Sequence, residues 1–376
     1  MKKIRLGVIG CGGIVSGAHI VGIKAEKDRL QVTATCDIII ERAQHAAEVW
    51  GATKVTTDWT EIVDDVDAVL IALPHDLHHE CGKFFLEHGK DVLMEKPLAV
   101  NEAECIDLIE TAKRTERLLM VAYPLRYVPE FQIIKKLLDE KTYGDVFQIS
   151  LWTEQNTHPR KGSWGNAARG LGGGQFFSHG CHYIDLMLWM LGRPKRGVHI
   201  GNRIGTPWME KEGTSNVIVE FESGVMAYHF GTWGAAGTRL GYSFHFHCTK
   251  GMIEYDMFEG KIYAHTNIAD HIPGNHGANE TCEVIYESDQ SGKNTVAEMS
   301  YFLDCLLEGK KTLTPPEESL QGLRVIWKLY EAERDNELVD LTGLGHEDDW
   351  RAVPVTEHGV WEEWENVPVP EEFRYR

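Results

Sequence analysis

No two cysteines stand in a Cys-x-x-Cys spacing, although eight are present, at positions 11, 36, 81, 105, 181, 248, 282 and 305. That scatter argues against structural zinc, and a chain of this size has no need of disulfide staples, so reduced thiols are expected. Equally missing is any run approaching the roughly 20 apolar residues that cross a bilayer, so no membrane partner is expected. Met1-Lys2-Lys3-Ile4-Arg5 runs straight into a strand-like pattern without the apolar core of a signal peptide, and a cytoplasmic location is the expectation. Basic charge is scarce: 38 Lys and Arg stand against 57 Asp and Glu, for a net charge of −19. A nucleic-acid surface needs a lysine- or arginine-rich stripe. None occurs, so nucleic acid is set aside as a partner.

What is present is an ordinary globular composition, 43% hydrophobic and 25% charged, in a chain too long for one core, so two domains are expected. Over the first 123 residues the hydrophobic period alternates between that of a strand and that of a helix. Ile4, Leu6 and Val8 alternate; Ile14, Ala18, Val21 and Ala25 follow at helical spacing. Leu30, Val32, Ala34 and Cys36 alternate again, a helix is expected at about 40–50, and Ala68 to Leu73 reads as a strand buried on both faces. A helix at about 77–88, the short strand Val92-Leu93-Met94, a helix capped by Asn101 with Glu104 and a strand from Leu118 to Tyr123 complete a doubly wound parallel sheet. Beyond residue 125 strand patterns dominate, at 146–154, 196–203, 215–222, 225–233, 242–249, 252–257 and 261–265. Turn signals at Glu222-Ser223-Gly224 and Lys250-Gly251 predict antiparallel hairpins. Helices are expected from Pro129 to near Gly144, at about 175–191, and at 295–308 and 317–333. The reading is an α/β chain divided at 1–124, 125–343 and an acidic extension, 344–376, that holds Trp350, Trp361 and Trp364.

Gly10, Gly12 and Gly13, with Ile14, stand where the first strand turns into a helix. Absent side chains there let backbone N–H groups and the helix N-terminus approach a pyrophosphate. Val15 takes the place of the usual third glycine. Asp37 ends the next strand, placed to accept hydrogen bonds from ribose hydroxyls. Its charge would repel a 2′-phosphate and Ile38-Ile39 supply no arginine, so NAD is expected over NADP. Two further segments end strands where ligands collect: Pro74-His75 with His78, and Glu95-Lys96-Pro97. In the second region Ser178, His182, Asp185 and Trp189 share one face of the expected helix, beside Gly172-Gly173-Gly174. Histidine is suited to proton transfer near neutrality. His179 and His182 could suggest a metal pair, but no acidic or cysteine partners converge on them, and no metal is expected.

These motifs, in this order over about residues 3–335, resemble the glucose–fructose oxidoreductase / inositol dehydrogenase (Gfo/Idh/MocA) family. The resemblance rests on Gly10-x-Gly12-Gly13, Asp37, Pro74 to His78, Glu95-Lys96-Pro97, Arg126 and the Gly-x-His-x-x-Asp segment ending at Asp185. It implies an N-terminal Rossmann domain and a C-terminal α/β domain for substrate binding, built on a largely antiparallel open sheet that forms homodimers or homotetramers. It implies Lys96 and His182 as catalytic pair and Asp185 as a substrate contact. Ser178 departs from the pattern, since many members carry aspartate four residues before the histidine.

The expected activity is hydride transfer between a nicotinamide and a hydroxyl-bearing carbon of a sugar, cyclitol or related polyol. His182 would be the general acid and base, with Lys96 stabilising the alkoxide. Ser178, Asp185, Arg126, Trp164 and Arg169 are candidate substrate contacts. Gly10, Gly12, Gly13, Ile14, Asp37, Pro74, His75, His78, Glu95 and Lys96 are candidate cofactor contacts. Other aromatic and polar residues at 152–169, among them Trp152, Glu154, Asn156, His158 and Arg160, suggest a loop over the site. His265, His271 and His276 are further candidates for lining it. Two alternatives stay open at this point: NAD-assisted glycoside cleavage through transient oxidation of the sugar, and a non-catalytic nicotinamide-binding regulator.

Overall fold

A computed structural model describes residues 3–159, 162–267, 280–288 and 295–356. Arg160, His271, His276, Trp361 and Trp364 lie outside the described residues. Six strands, β1 (Ile4–Ile9), β2 (Leu30–Cys36), β3 (Lys54–Thr56), β4 (Ala68–Ile71), β5 (Asp91–Glu95) and β6 (Leu119–Ala122), form a parallel sheet in the order β3-β2-β1-β4-β5-β6. The order reverses between β1 and β4, and at that switch point a crevice opens outside the strands' carboxyl ends. All four residues of β4 are buried, as its unbroken apolar run requires. The helices between strands include α1 (Ile20–Ala25), α2 (Ile40–Trp50), α3 (His78–Glu87) and α4 (Glu102–Thr115). Asn101 caps α4 by accepting from the Glu104 N–H at 2.9 Å. The three-residue β3 had no periodic signature of its own.

The second sheet has nine strands. β7 (Val146–Glu154), β8 (Pro194–Asn202), β9 (Thr214–Phe221), β10 (Met226–Thr232), β11 (Tyr242–Cys248), β12 (Gly251–Asp256), β13 (Lys261–Asn267), β14 (Glu280–Glu287) and a two-residue β15 (Val339–Asp340) run in the order β14-β13-β12-β11-β7-β10-β9-β8-β15. Neighbours are antiparallel except β7 and β10, which pair parallel. Both expected hairpins formed: β9 (Thr214–Phe221) with β10 (Met226–Thr232), and β11 (Tyr242–Cys248) with β12 (Gly251–Asp256). One face packs Ile149, Leu151, Val217, Val219, Phe244 and Phe246 into a core shared with Phe131 of α5 (Pro129–Asp139), Tyr183 and Ile184 of α7 (Cys181–Leu191) and Leu329 of α9 (Pro316–Asp335). The other face leaves Ile200 65%, Ile218 49% and Met226 49% exposed.

The sequential division of the chain is not the spatial one. Helix α8 (Thr295–Glu308) returns to the first sheet, where Met299, Phe302 and Leu303 join Leu6, Val8 and Ile23 in one core. Gly22 lets the chain approach so closely that a Cβ there would lie 2.5 Å from the Thr295 carbonyl oxygen. The segment after β15 is also built in: Leu344 and Trp350 are buried, Arg324 of α9 donates to the Trp350 carbonyl at 2.6 Å, and Thr356 donates to Glu102 of α4. Residues 341–356 thus strap the second region to the first, and the part from 344 belongs to the segment that the sequence set apart only as an acidic extension. Composition hid this, because two large apolar anchors, Leu344 and Trp350, show no period in a charged segment. No helix among the described residues is long and apolar enough to cross a membrane.

Several buried histidines make the fold sensitive to acid. His229 of β10 meets Thr153 Oγ1 at 3.0 Å and stacks on Tyr183, and burial pushes its imidazole down to about 3. Burial likewise holds His75 and His346 well below the ordinary range. The unfolded chain takes up these protons below about pH 6.5, whereas the folded chain does not until far lower. This stability is therefore complete above about pH 6.5 and is lost as the pH falls, by up to about 1.4 kcal/mol per pH unit for each group. Denaturant midpoints are expected to drop between about pH 6.5 and about pH 5, and less steeply in His229→Gln; an identical slope in the variant would contradict the assignment.

Candidate active site

The glycine turn is fixed by sterics. Gly10 has φ +83°, and a Cβ there would lie 2.2 Å from the Ala72 carbonyl oxygen at the end of β4. Only glycine combines that backbone with that approach. Beyond it, a Cβ on Gly12 or Gly13 would meet nothing within 4 Å, which leaves open space over the start of the following helix. The first-turn amides of a helix have no partner within it and favour an anion there. Asp37 closes the turn: its two oxygens accept from the Cys11 and Ile39 N–H groups, each at 2.8 Å. Each oxygen keeps lone-pair capacity for a further donor. This cradle fits a dinucleotide: space for a pyrophosphate, unpaired helix amides and a fixed carboxylate beside them. Ile38 and Ile39 are exposed, but Arg42 of α2 brings a guanidinium to 4.0 Å from Asp37, a neighbour not expected from the sequence.

The segments after β4 and β5 take up several of the residues expected to touch the cofactor. Pro74 opens the short turn His75–Leu77. His78 bridges the two segments, its ring nitrogens 2.8 Å from the Pro97 carbonyl and 3.1 Å from that of Leu73. Burial lowers its pKa, so a neutral ring donates to one carbonyl and packs against the other. His78 is thus an internal strut, not an open contact. Glu95 turns back to the glycine helix, 2.6 Å from His19 Nε2. His75 donates toward the Leu171 carbonyl at 2.7 Å, and burial, then the charge of Lys96, hold it neutral. Lys96, half-buried and joined to Pro97 by a cis peptide, reaches across to the second region, where its ammonium donates to the Ser178 carbonyl at 3.0 Å.

The histidine segment differs from the expected single helix. A π turn, Phe176–Gly180, precedes α7, so Ser178 no longer stacks one regular turn above His182. Its start is held by Glu212, which accepts from the Phe176 N–H at 3.0 Å and lies so close that a Cβ on Gly174 would sit 2.2 Å from the carboxylate. His182 is buried, with Tyr123 edge-on at 5.8 Å between ring centroids and His179 at 5.9 Å. His179 is in turn flanked by Gln175 Nε2 and Tyr242 Oη, each at 3.3 Å.

Asp185 and Arg126, both expected at the substrate, are given to each other. Arg126 Nε and Nη2 donate to the two Asp185 oxygens, at 2.8 and 2.5 Å. Nη1 serves Glu318 and the Leu313 carbonyl, and Nη2 also reaches His346 from the strap at 3.0 Å. Burial pushes the Asp185 carboxyl up, the guanidinium opposes it, and burial together with Arg126 keeps His346 neutral and able to accept. With every guanidinium nitrogen engaged inside the protein, Arg126 and Asp185 position α7. Trp164 meets His75 edge-on at 5.0 Å, and Arg169 is exposed on the next short helix, its charge felt by Asp76. Trp152 lies on the open sheet face with Tyr228 and Phe230, and His265 pairs with Glu254 there, so neither lines this crevice. Among the described residues no group of three or more His, Cys, Asp or Glu is arranged to hold a metal ion. Sequence reasoning missed His19, Arg42, Tyr123, Gln175 and Tyr242, none of which carries a local motif.

Known proteins share this fold. Residues 4–123 match the family described as oxidoreductase, NAD-binding Rossmann fold (GFO_IDH_MocA), and residues 131–254 match the GFO/IDH/MocA C-terminal domain. The chain is 27% identical over 235 residues to inositol 2-dehydrogenase/D-chiro-inositol 3-dehydrogenase of Lactiplantibacillus plantarum, covering 59% of this chain and 63% of that protein. It is 30% identical over 161 residues to trans-1,2-dihydrobenzene-1,2-diol dehydrogenase of Xenopus laevis, covering 42% of this chain and 47% of that one. Among solved structures, an NAD-binding protein from Listeria innocua superposes with a TM-score of 0.76 at 25% identity, over 93% of this chain and 100% of that one. A levoglucosan dehydrogenase complexed with NADH and levoglucosan shares the fold with a TM-score of 0.79 at 19% identity, over 90% of this chain and 100% of that one. With both halves matched and the glycine cradle, Asp37 and the Lys96 crossing in place, the chain belongs to the Gfo/Idh/MocA family of oxidoreductases with an NAD-binding Rossmann fold.

Proposed function

We propose that the protein is an NAD-dependent dehydrogenase acting on a hydroxyl-bearing carbon of a sugar, cyclitol or related polyol. The observation that carries this is the reach of Lys96, whose ammonium leaves the first sheet to rest on the Ser178 carbonyl, in the segment that bears His182. NAD, held by Gly10, Gly12, Gly13, Ile14 and Asp37, would supply the hydride acceptor. His182 takes the proton of the reacting hydroxyl, and returns it in the reverse direction. Lys96 uses one donor on Ser178 and keeps two for the substrate oxygen, where it stabilises alkoxide charge as it develops. His75 stays neutral beside Lys96 and so adds no competing charge to that oxygen. The relatives' names fit this reading: one acts on inositols and one neighbour was solved with NADH and levoglucosan. A cytoplasmic location belongs to the same reading.

Cofactor choice rests on Asp37, whose fixed carboxylate disfavours a 2′-phosphate, while Arg42 at 4.0 Å softens that charge. The open sheet face, with Ile200, Ile218 and Met226 exposed beside Trp152, Tyr228 and Phe230, serves as a homo-oligomer interface. An apolar area of this kind on a monomer's surface usually marks an association site.

Three outcomes test the proposal. With a substrate found by screening cyclitols, aldoses and sugar acids for NADH absorbance, His182→Ala is expected to lower kcat by on the order of 10²-fold or more. Lys96→Met is expected to lower kcat by a similar order, and full turnover in either variant would remove the pair from the chemistry. Steady-state assays should show NAD preferred over NADP, with Asp37→Ser shrinking the preference by about tenfold; an unchanged ratio would move the discrimination elsewhere. Light scattering should give a dimer or tetramer that Ile218→Lys dissociates, and a wild-type monomer would dismiss the interface.

A further inference from the structure

A third apolar cluster stands apart from the two main cores: Leu171, Met209 and Trp233, with Trp164 and Trp208 packed on them. It is assembled by backbone bonds between three connections at one end of the second sheet. Thr157 N–H donates to the Trp233 carbonyl at 2.9 Å, Trp233 N–H to Gly213 at 2.8 Å, and Glu210 N–H to Asn166 at 3.0 Å. Its position is informative. Trp164 touches His75, the neutral neighbour of Lys96, and Trp233 lies 6.5 Å from the ring of His179, itself 5.9 Å from that of His182. Trp164 thus stands behind His75 on the Lys96 side of the crevice, and Trp233 behind His179 on the His182 side. Trp164 and Trp208 keep part of their surface open, and His158 lies over Trp208 at 4.3 Å and 37°.

Loop packing alone does not account for two polar side-chain atoms in these connections, one on Trp208 itself and one on Gln155, whose backbone pairs with Thr232 and Ala235 on either side of Trp233. Trp208 Nε1 and Gln155 Oε1 are shut off from bulk water, and among the described residues neither has a hydrogen-bond partner. Buried polar groups are almost always paired, so such orphans ask for a partner that arrives from outside. An apolar indole face with its own unpaired donor, in connections that also carry an unpaired acceptor, offers what a pyranose ring requires, with C–H groups to stack and hydroxyls to bond.

We infer that Trp164, Trp208 and Trp233 form a second-ring subsite, so that the substrate is a disaccharide or other glycoside whose reacting ring sits at His182 and whose second ring lies against the indoles. The inference rests on the polyol dehydrogenase reading and names its substrate class. Because the outer ring binds alike before and during hydride transfer, its contacts lower KM and leave kcat nearly unchanged.

The full chain with NAD should oxidise cellobiose or maltose with a kcat/KM at least about tenfold above that for glucose. In Trp208→Ala, KM for that disaccharide should rise about tenfold at similar kcat, with glucose kinetics within about twofold of the parent, as the loss of one ring-stacking contact implies. Trp208→Phe should recover most of the loss, which separates stacking from misfolding. No disaccharide preference, or equal effects on both sugars, would overturn the subsite. Calorimetric titration of the NADH-loaded chain with cellobiose and maltose keeps the two readings distinguishable. Binding of either that Trp208→Ala weakens supports the subsite even where no NADH forms, an outcome that would instead remove the dehydrogenase reading. Absence of binding by both overturns the subsite even where glucose is oxidised.

Discussion

The ion pair between Arg126 and Asp185 sets where everything else in the crevice can be. Arg126 follows β6 of the parallel sheet, Asp185 lies one helical turn beyond His182 in α7, and side-chain exposure is 2% and 3%. Taking two charges out of water is expensive, and such a pair adds little net stability over apolar residues of the same volume. Leaving either partner alone in the interior is far worse, about 3–5 kcal/mol. Misplacement of α7 is therefore penalised much more strongly than correct placement is rewarded. Glu318, the Leu313 carbonyl and His346 engage the remaining guanidinium donors and hold the arginine in one orientation.

Around that fixed point the two regions close on each other by polar contacts between few atoms. Lys96 spans the crevice to Ser178, Glu212 holds the start of the π turn, and the strap from 341 to 356 carries His346 and Trp350 back across α9 and α4. A crevice assembled in this way can hold an imidazole and an ammonium near one reacting atom while neither belongs to the other's domain. The nearby acidic groups Asp185 and Glu212 are committed to holding the segment that carries His182.

Much of this was legible in the sequence wherever a local rule produced it. Gly10 and the strand–helix alternation of the first 123 residues, the Asn101 cap and the hairpins at Ser223-Gly224 and Lys250-Gly251 all express constraints between neighbours in the chain. Lys96 and His182 were singled out by their place in a motif. What escaped detection was non-local. Arg126 and Asp185 are 59 residues apart, and Arg126 and His346 are 220 apart, so no period or spacing pairs them. Arg126 and Asp185 were both read as substrate contacts, because their partners in the fold were out of view. Helix α8 read as part of the second region for the same reason, since amphipathicity shows that a face is buried and not against what. The π turn was invisible because one extra residue per turn leaves composition unchanged. Trp208 and Trp233 sit in connections without periodicity, where a tryptophan has no pattern to stand out from.

A crystal structure of the protein with NADH and a bound polyol or glycoside tests the central claim most directly. The account expects one substrate oxygen within hydrogen-bond distance of both the His182 imidazole and the Lys96 ammonium, on the nicotinamide side of the crevice, with Arg126 and Asp185 still paired behind them. A ligand bound elsewhere, or an oxygen held by other side chains while His182 faces the core, would contradict it.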